Sequence, residues 1–226
     1  MLGLYRNGVL AFARCFIPVW MCALLLFPQP ASAHPHVWVD AAIIVHKNSA
    51  GRISAIEPVW IFDDLYTQSL LPDLDVDKSG EVDKSELLVF AKEAITNLSE
   101  WDYFLHTKVA PGQKVSFKKK INTDATLLNG RFLLRFKLEL ETPILPDSTL
   151  EVKMYDPSYF ISIDLISDKE VSFLPAPSGS CDYSVIESPD YESEEKTLSE
   201  LAFSDEEVAE NPDLGAIFAQ SVRVTC

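Results

Sequence analysis

Positive charge is scarce in this chain. Of 226 residues only 19 are Lys or Arg, against 34 Asp or Glu, for a formal charge of −15 and a pI near 4.6. Without surplus cations there is little to displace the counterions of a phosphate backbone, which argues against nucleic acid and, equally, against anionic lipid. Cysteine is sparse as well: four residues, two of them within the first 33, and no C-x-x-C. Neither H-E-x-x-H, G-x-S-x-G nor a phosphate loop occurs, so the chain reads as a non-enzyme. There is no internal repeat. Hydrophobic residues nevertheless make up 47% and aromatics 11%, which excludes a disordered acidic tail. The charge balance leaves cationic partners open, and metal ions are the simplest of these.

Long apolar runs are missing too. Residues 1–33 carry only Arg6 and Arg14 as charges, then an apolar stretch from Cys15 to Phe27 broken by Pro18, then Ala31-Ser-Ala33. The stretch falls short of the ~20 residues that span a bilayer. Charged start, short apolar core and small-residue ending match a cleavable secretory signal. No Cys follows the small residues, so neither a lipid nor a helix would anchor the chain after cleavage. The expected product is a periplasmic protein of 193 residues with charge −17 and two cysteines, Cys181 and Cys226. In an oxidising compartment these most simply form one disulfide.

His36 to His46 alternates, with Val37, Val39, Ala41, Ile43 and Val45 on one face, as a half-buried strand does. Asn48 to Gly51 reads as a turn and Arg52 to Trp60 as the returning strand. After Trp101, short β-rich runs at 103–109, 114–117, 126–128, 132–140, 150–155 and 159–165 are punctuated by Pro and Gly, with Asn129-Gly130 as a hairpin signal. Ser221 to Cys226 closes the series. The expected fold is mainly β (α+β): a single-domain antiparallel β-sandwich interrupted at about 61–98 by an EF-hand-like helix–loop–helix. Residues 187–213 hold eleven acidic residues and one lysine, and read as a solvated excursion or a short amphipathic helix.

The loop between the two helical runs carries the strongest chemical signal. Residues 75–86, Asp-Val-Asp-Lys-Ser-Gly-Glu-Val-Asp-Lys-Ser-Glu, match a twelve-residue calcium loop position by position. Ca2+ is a hard ion that takes six to eight oxygens. Asp75, Asp77 and Ser79 would offer side-chain oxygens, Glu81 its carbonyl, Asp83 a water-mediated contact and Glu86 a closing bidentate carboxylate. Gly80 falls where the chain must turn sharply, and Val82 where an apolar residue tethers the loop. With one hand and not a pair, the expectation is a structural clamp of roughly 10⁻⁴–10⁻³ M affinity, not a sensor.

Cleavage would expose His34-Pro35-His36. The α-amine, His34 and His36 could chelate a borderline ion such as Ni2+, Co2+, Zn2+ or Cu2+, with His46 or His106 approaching if a strand brought them near. The alternative at this point is two exposed histidines at a frayed end. His34-Pro-His-Val-Trp38, Trp60-Ile-Phe-Asp63, the acidic loop, Asp102-Tyr-Phe104, Tyr155-Asp-Pro-Ser-Tyr-Phe160 and the two cysteines form an ordered set. Together they resemble an uncharacterised family of bacterial periplasmic proteins that begin HPHxW and are associated with ABC-type nickel/cobalt or other metal transporters. The resemblance implies a metal-binding accessory to an inner-membrane transporter. A calcium-stabilised envelope interaction module and a copper redox enzyme with a histidine brace are the competing readings.

Overall fold

Alternation builds the first layer. In the computed structural model, which describes residues 35–166, 170–175, 181–187 and 213–226, strand β1 is Val37–Lys47. Its Val37, Val39, Ala41, Ile43 and Val45 are buried, while Trp38 is 49% exposed. Asn48 Oδ1 accepts the N–H groups of Ala50 and Arg52 and closes the turn into β2 (Ile53–Phe62). Strands β5 (Phe117–Leu128) and β6 (Arg131–Ile144) complete a sheet ordered β5-β6-β2-β1. Asn129 and Gly130 between them have φ of 52° and 84°, the left-handed pair that a tight hairpin needs.

The far edge departs from a purely antiparallel sheet. Strands β8 (Ile161–Leu165) and β9 (Val171–Leu174) both pair with β1 in parallel, one along each half of it. A second sheet runs β10-β11-β7-β3-β4, from β3 (Leu105–Val109), β4 (Gln113–Lys114), β7 (Thr149–Met154), β10 (Asp182–Ile186) and β11 (Ser221–Thr225). Its pairs are all antiparallel. Trp60, Phe136 and Leu138 of the first sheet share one buried cluster with Leu105, Leu150, Val152 and Val224 of the second. Each large side chain so buried contributes about 1.5–3 kcal/mol. Strands β9 and β10 were not expected from the sequence, being short and flanked by polar residues.

Helices α1 (Asp64–Leu74) and α2 (Lys84–Leu98) follow β2. Leu87, Ala91 and Ile95 of α2 are buried at helical spacing, and the Phe90 ring lies 5.6 Å from Phe132. The first helix starts three residues later than its apolar spacing suggests. Ile61 and Phe62 continue β2 opposite Asp40 and Val39, because strand pairing satisfies their backbone where a first helical turn would not. The short helix α3 (Gly215–Phe218) precedes β11. Among the described residues no helix is long and apolar enough to cross a membrane. The expected signal at 1–33, His34 and residues 188–212 of the expected acidic excursion lie outside the described residues.

Cys181 and Cys226 form a disulfide across 45 residues, flanking the antiparallel pair β10 and β11. Closing a loop of that length restricts the unfolded chain by about 4 kcal/mol. Reduction, or the Cys181→Ser, Cys226→Ser double variant, should therefore lower the unfolding free energy by about that amount. Urea titration with and without reductant measures it.

Candidate metal centre

The acidic loop is shaped before any ion is considered. Helix α1 ends with Asp75 as its C-cap, and α2 begins with Asp83 as its N-cap. Asp83 Oδ1 accepts the N–H groups of Ser85 and Glu86, and Glu86 Oε2 returns to the Asp83 N–H, a complete capping box. The other Glu86 oxygen reaches back across the loop to the Val76 N–H at 2.8 Å. Asp75 accepts from the N–H groups of Ser79 and Gly80, both at 2.9 Å, and Asp77 from Ser79. Lys78 and Gly80 turn the chain with φ of 57° and 89°. Val82 packs against the core and holds the loop to the body.

This wrapping brings one oxygen each of Asp75, Asp77 and Glu86 within 4.8 Å of one another, a group able to hold a metal ion. The other three expected ligands stand differently. Ser79 Oγ donates to the Glu81 carbonyl oxygen at 2.9 Å, and Asp83 is engaged at the start of α2. Hydrogen bonds from the Ser79 hydroxyl and N–H hold the Asp77 carboxyl below its ordinary range, and the Ser85 hydroxyl does the same for Asp83. Both are therefore ionised at neutral pH. Backbone N–H groups offset part of the mutual repulsion of the three converging carboxylates, and a cation bound among them would offset more.

His36 occupies another region. His36 is exposed just before β1, its N–H donating to the Phe160 carbonyl oxygen and its ring 4.6 Å from that of Phe160. His46 cannot join it. The two lie ten residues apart along an extended strand, roughly 33 Å, and His46 Nε2 is bound to Glu57 at 2.6 Å. His106 belongs to the second sheet and is stacked on Tyr155 at 3.8 Å.

The acidic cluster and the two sheets fall within one homologous unit. A family model described as a protein of unknown function (DUF1007) matches residues 19–226. The chain belongs to the DUF1007 family. A relative in Haemophilus influenzae, an uncharacterized protein, is 23% identical over 201 residues covering 86% of this chain and 91% of that one. The DUF1007 match spans the amino-terminal strand, the acidic loop and both cysteines. The disulfide is of the kind that persists in oxidising compartments, which suits an exported member of the family.

Two features escaped the chemical reading of the sequence. Asp63 caps α1 through Tyr66 and accepts the Trp38 N–H with its second oxygen, joining the amino-terminal strand to the helix that leads into the loop. An Asp just ahead of a helical run is an N-cap signature and could have been found. The His106–Tyr155 stack needed the tertiary structure. Burial pushes the His106 imidazole below its ordinary value, against the pull of Asp213 and Asp102. Burial and the hydrogen-bonded Asp213 push the Tyr155 phenol up to about 12.

A histidine whose folded pKa is depressed binds fewer protons folded than unfolded. Stability should therefore fall as pH drops below the ordinary histidine value near 6.5 and level off once the folded form also titrates. Urea midpoints measured from pH 7.5 to 5 should decline, and His106→Gln should flatten the decline.

Proposed function

We propose that this chain is a non-enzymatic metal-binding accessory protein of the bacterial periplasm, exported through a cleaved signal at residues 1–33. In this reading Ca2+ fills the loop 75–86 as a structural clamp, holding α1 and α2 at a fixed angle. The observation that carries it is the convergence of Asp75, Asp77 and Glu86 in a loop whose backbone N–H groups already orient their carboxylates. Hard oxygen donors with no nitrogen or sulfur favour Ca2+ over softer ions.

The α-amine, His34 and His36 would capture a borderline ion, Ni2+, Co2+, Zn2+ or Cu2+, for delivery to an inner-membrane transporter. Exposure of His36 at the start of β1 supports this role, as does the family resemblance of the HPHxW start. Asp63 then links the two sites, since it binds the backbone of Trp38 and caps the helix leading to the calcium loop.

A second reading, a calcium-stabilised interaction module, is favoured by one observation: Trp38 and Phe160, beside His36, are 49% and 44% exposed. Calorimetric titration of the correctly cleaved protein separates the two. Glu86→Gln should weaken Ca2+ binding by about tenfold or more, ~1.4 kcal/mol, and leave transition-metal binding alone. His36→Ala or acetylation of the α-amine should do the reverse. Undiminished Ca2+ affinity in Glu86→Gln would refute the clamp. Transition-metal binding indifferent to both amino-terminal changes would leave the interaction module.

A further inference from the structure

Three outward side chains of the second sheet stand in one row and serve no purpose in the metal reading. His106 on β3 pairs with Lys153 on β7, and Lys153 pairs with Ser221 on β11. Leu105, Val152 and Val222, one step along each strand, are buried in the core, so strand alternation places all three row residues on the outer face. The outer two Cα atoms lie about 10 Å apart, two strand spacings.

An outward residue of an antiparallel sheet is ordinarily wet. Ser221 is 8% exposed, and its Oγ has no hydrogen-bond partner among the described residues. His106 Nε2 is likewise buried and unpartnered. Native proteins leave few such atoms, and two in a single row on the side away from the core call for an explanation. The chain from Asp213 to Phe218 is folded onto this end of the sheet. Tyr155 donates its hydroxyl to Asp213, and Tyr159 packs on Phe218 at 4.5 Å. Gly215 lies so near the turn between β7 and β8 that a Cβ there would sit 2.0 Å from the Asp156 carbonyl oxygen. Just before β3 the backbone is strained: Asp102, Tyr103 and Phe104 are three consecutive left-handed residues, with φ of 51°, 59° and 52°. Such conformations are rare in non-glycine residues and cluster at functional sites.

The hydrogen-bonding character of the row can be derived. The His106 ring bonds the Tyr155 backbone, whose N–H is already spent on the Phe104 carbonyl oxygen. The ring therefore donates from Nδ1 to the Tyr155 carbonyl, which leaves Nε2 a lone-pair acceptor. Asp213 and Asp102 make that end of the row acidic, Lys114 being paired with Asp102. Lys153 stands in the middle of the row, and the Ser221 hydroxyl lies at its other end.

We propose that this row binds a small zwitterion, a free amino acid, whose ammonium donates to His106 Nε2 and whose carboxylate is held by Lys153 and Ser221. A simple anion would leave Nε2 without a donor. A simple cation would meet Lys153. A divalent ion is disfavoured on the same ground. The site is closed by the 213–218 segment, so entry requires that segment to lift.

The test uses the cleaved, calcium-loaded protein with its imidazoles labelled with ¹⁵N. Free amino acids are offered singly at millimolar concentration, with acetate and methylammonium as half-probes. The expected result is that at least one amino acid moves the His106 Nε2 resonance away from its bare-acceptor position. Acetate and methylammonium should bind about tenfold more weakly, and Lys153→Met should cost about tenfold in the amino acid's affinity. Ser221→Ala should fold normally, since it removes an unpartnered hydroxyl, and should also weaken binding. No Nε2 shift with any amino acid, a response to acetate as strong as to the amino acid, or a response unchanged in Lys153→Met would overturn the proposal. None of these outcomes depends on transition-metal binding at the amino terminus.

Discussion

One carboxylate, that of Asp63, holds together the corner on which the rest of the molecule is arranged. Its two oxygens accept from the backbones of Trp38 and Tyr66, and its own N–H donates to the Trp38 carbonyl oxygen. Its carbonyl oxygen accepts from Thr67, which is fully buried and whose hydroxyl oxygen receives the Phe132 N–H. Strand β1, helix α1 and strand β6 meet through two residues. Arg131 reinforces the same corner, reaching the carbonyl oxygens of Phe62 and Ile61 and the carboxylate of Asp40. A charge-assisted hydrogen bond in a half-buried setting is roughly twice as strong as a neutral one. Replacing Asp63 would therefore release both the start of β1 and the start of α1.

That corner explains how a β-sandwich carries a helix–loop–helix without losing its core. The helical pair does not hang off the sheets as a separate body. Phe62 stacks on Tyr66 and packs tilted against Phe132, which Phe90 meets edge-on, so the aromatic core of the first sheet extends under the helices. The acidic loop sits at the far end of this pair, exposed, with its carboxylates oriented by backbone N–H groups. The chain's acidity is correspondingly local. Residues 187–213 contribute −10 and the loop −3 of the −17 carried by residues 34–226.

Much of this was legible in the residues. The alternation of β1, the Asn-Gly hairpin and the twelve-residue loop each depend on local backbone preferences, and each appears where the pattern puts it. The disulfide was expected from Cys181 and Cys226, the two cysteines beyond residue 33. Boundaries were less legible: Ile61 and Phe62 fit a helical spacing but pair as strand, because Asp40 and Val39 offer them partners. The run at 159–165 was legible as the strand β8, but β9 and the parallel pairing of both with β1 were not, since parallel pairing needs a long crossover and leaves no turn signature. Ser79 and Glu81 occupy ligand positions in the sequence pattern, yet their atoms bond to one another, a detail of rotamer choice.

The sequence by itself determined the kinds of element and an acidic loop whose carboxylates could hold a metal ion, because these rest on spacing over a few residues. Only the tertiary structure decided which histidines could act together. It put His36 and His46 at opposite ends of one strand and His106 on another sheet, against Tyr155. It also decided that Ser221 and His106 share a row with Lys153, since strand register joins residues more than a hundred positions apart. Local pattern carries no information about register between distant strands. Register is chosen by the packing of one buried face, and the outward row comes with it.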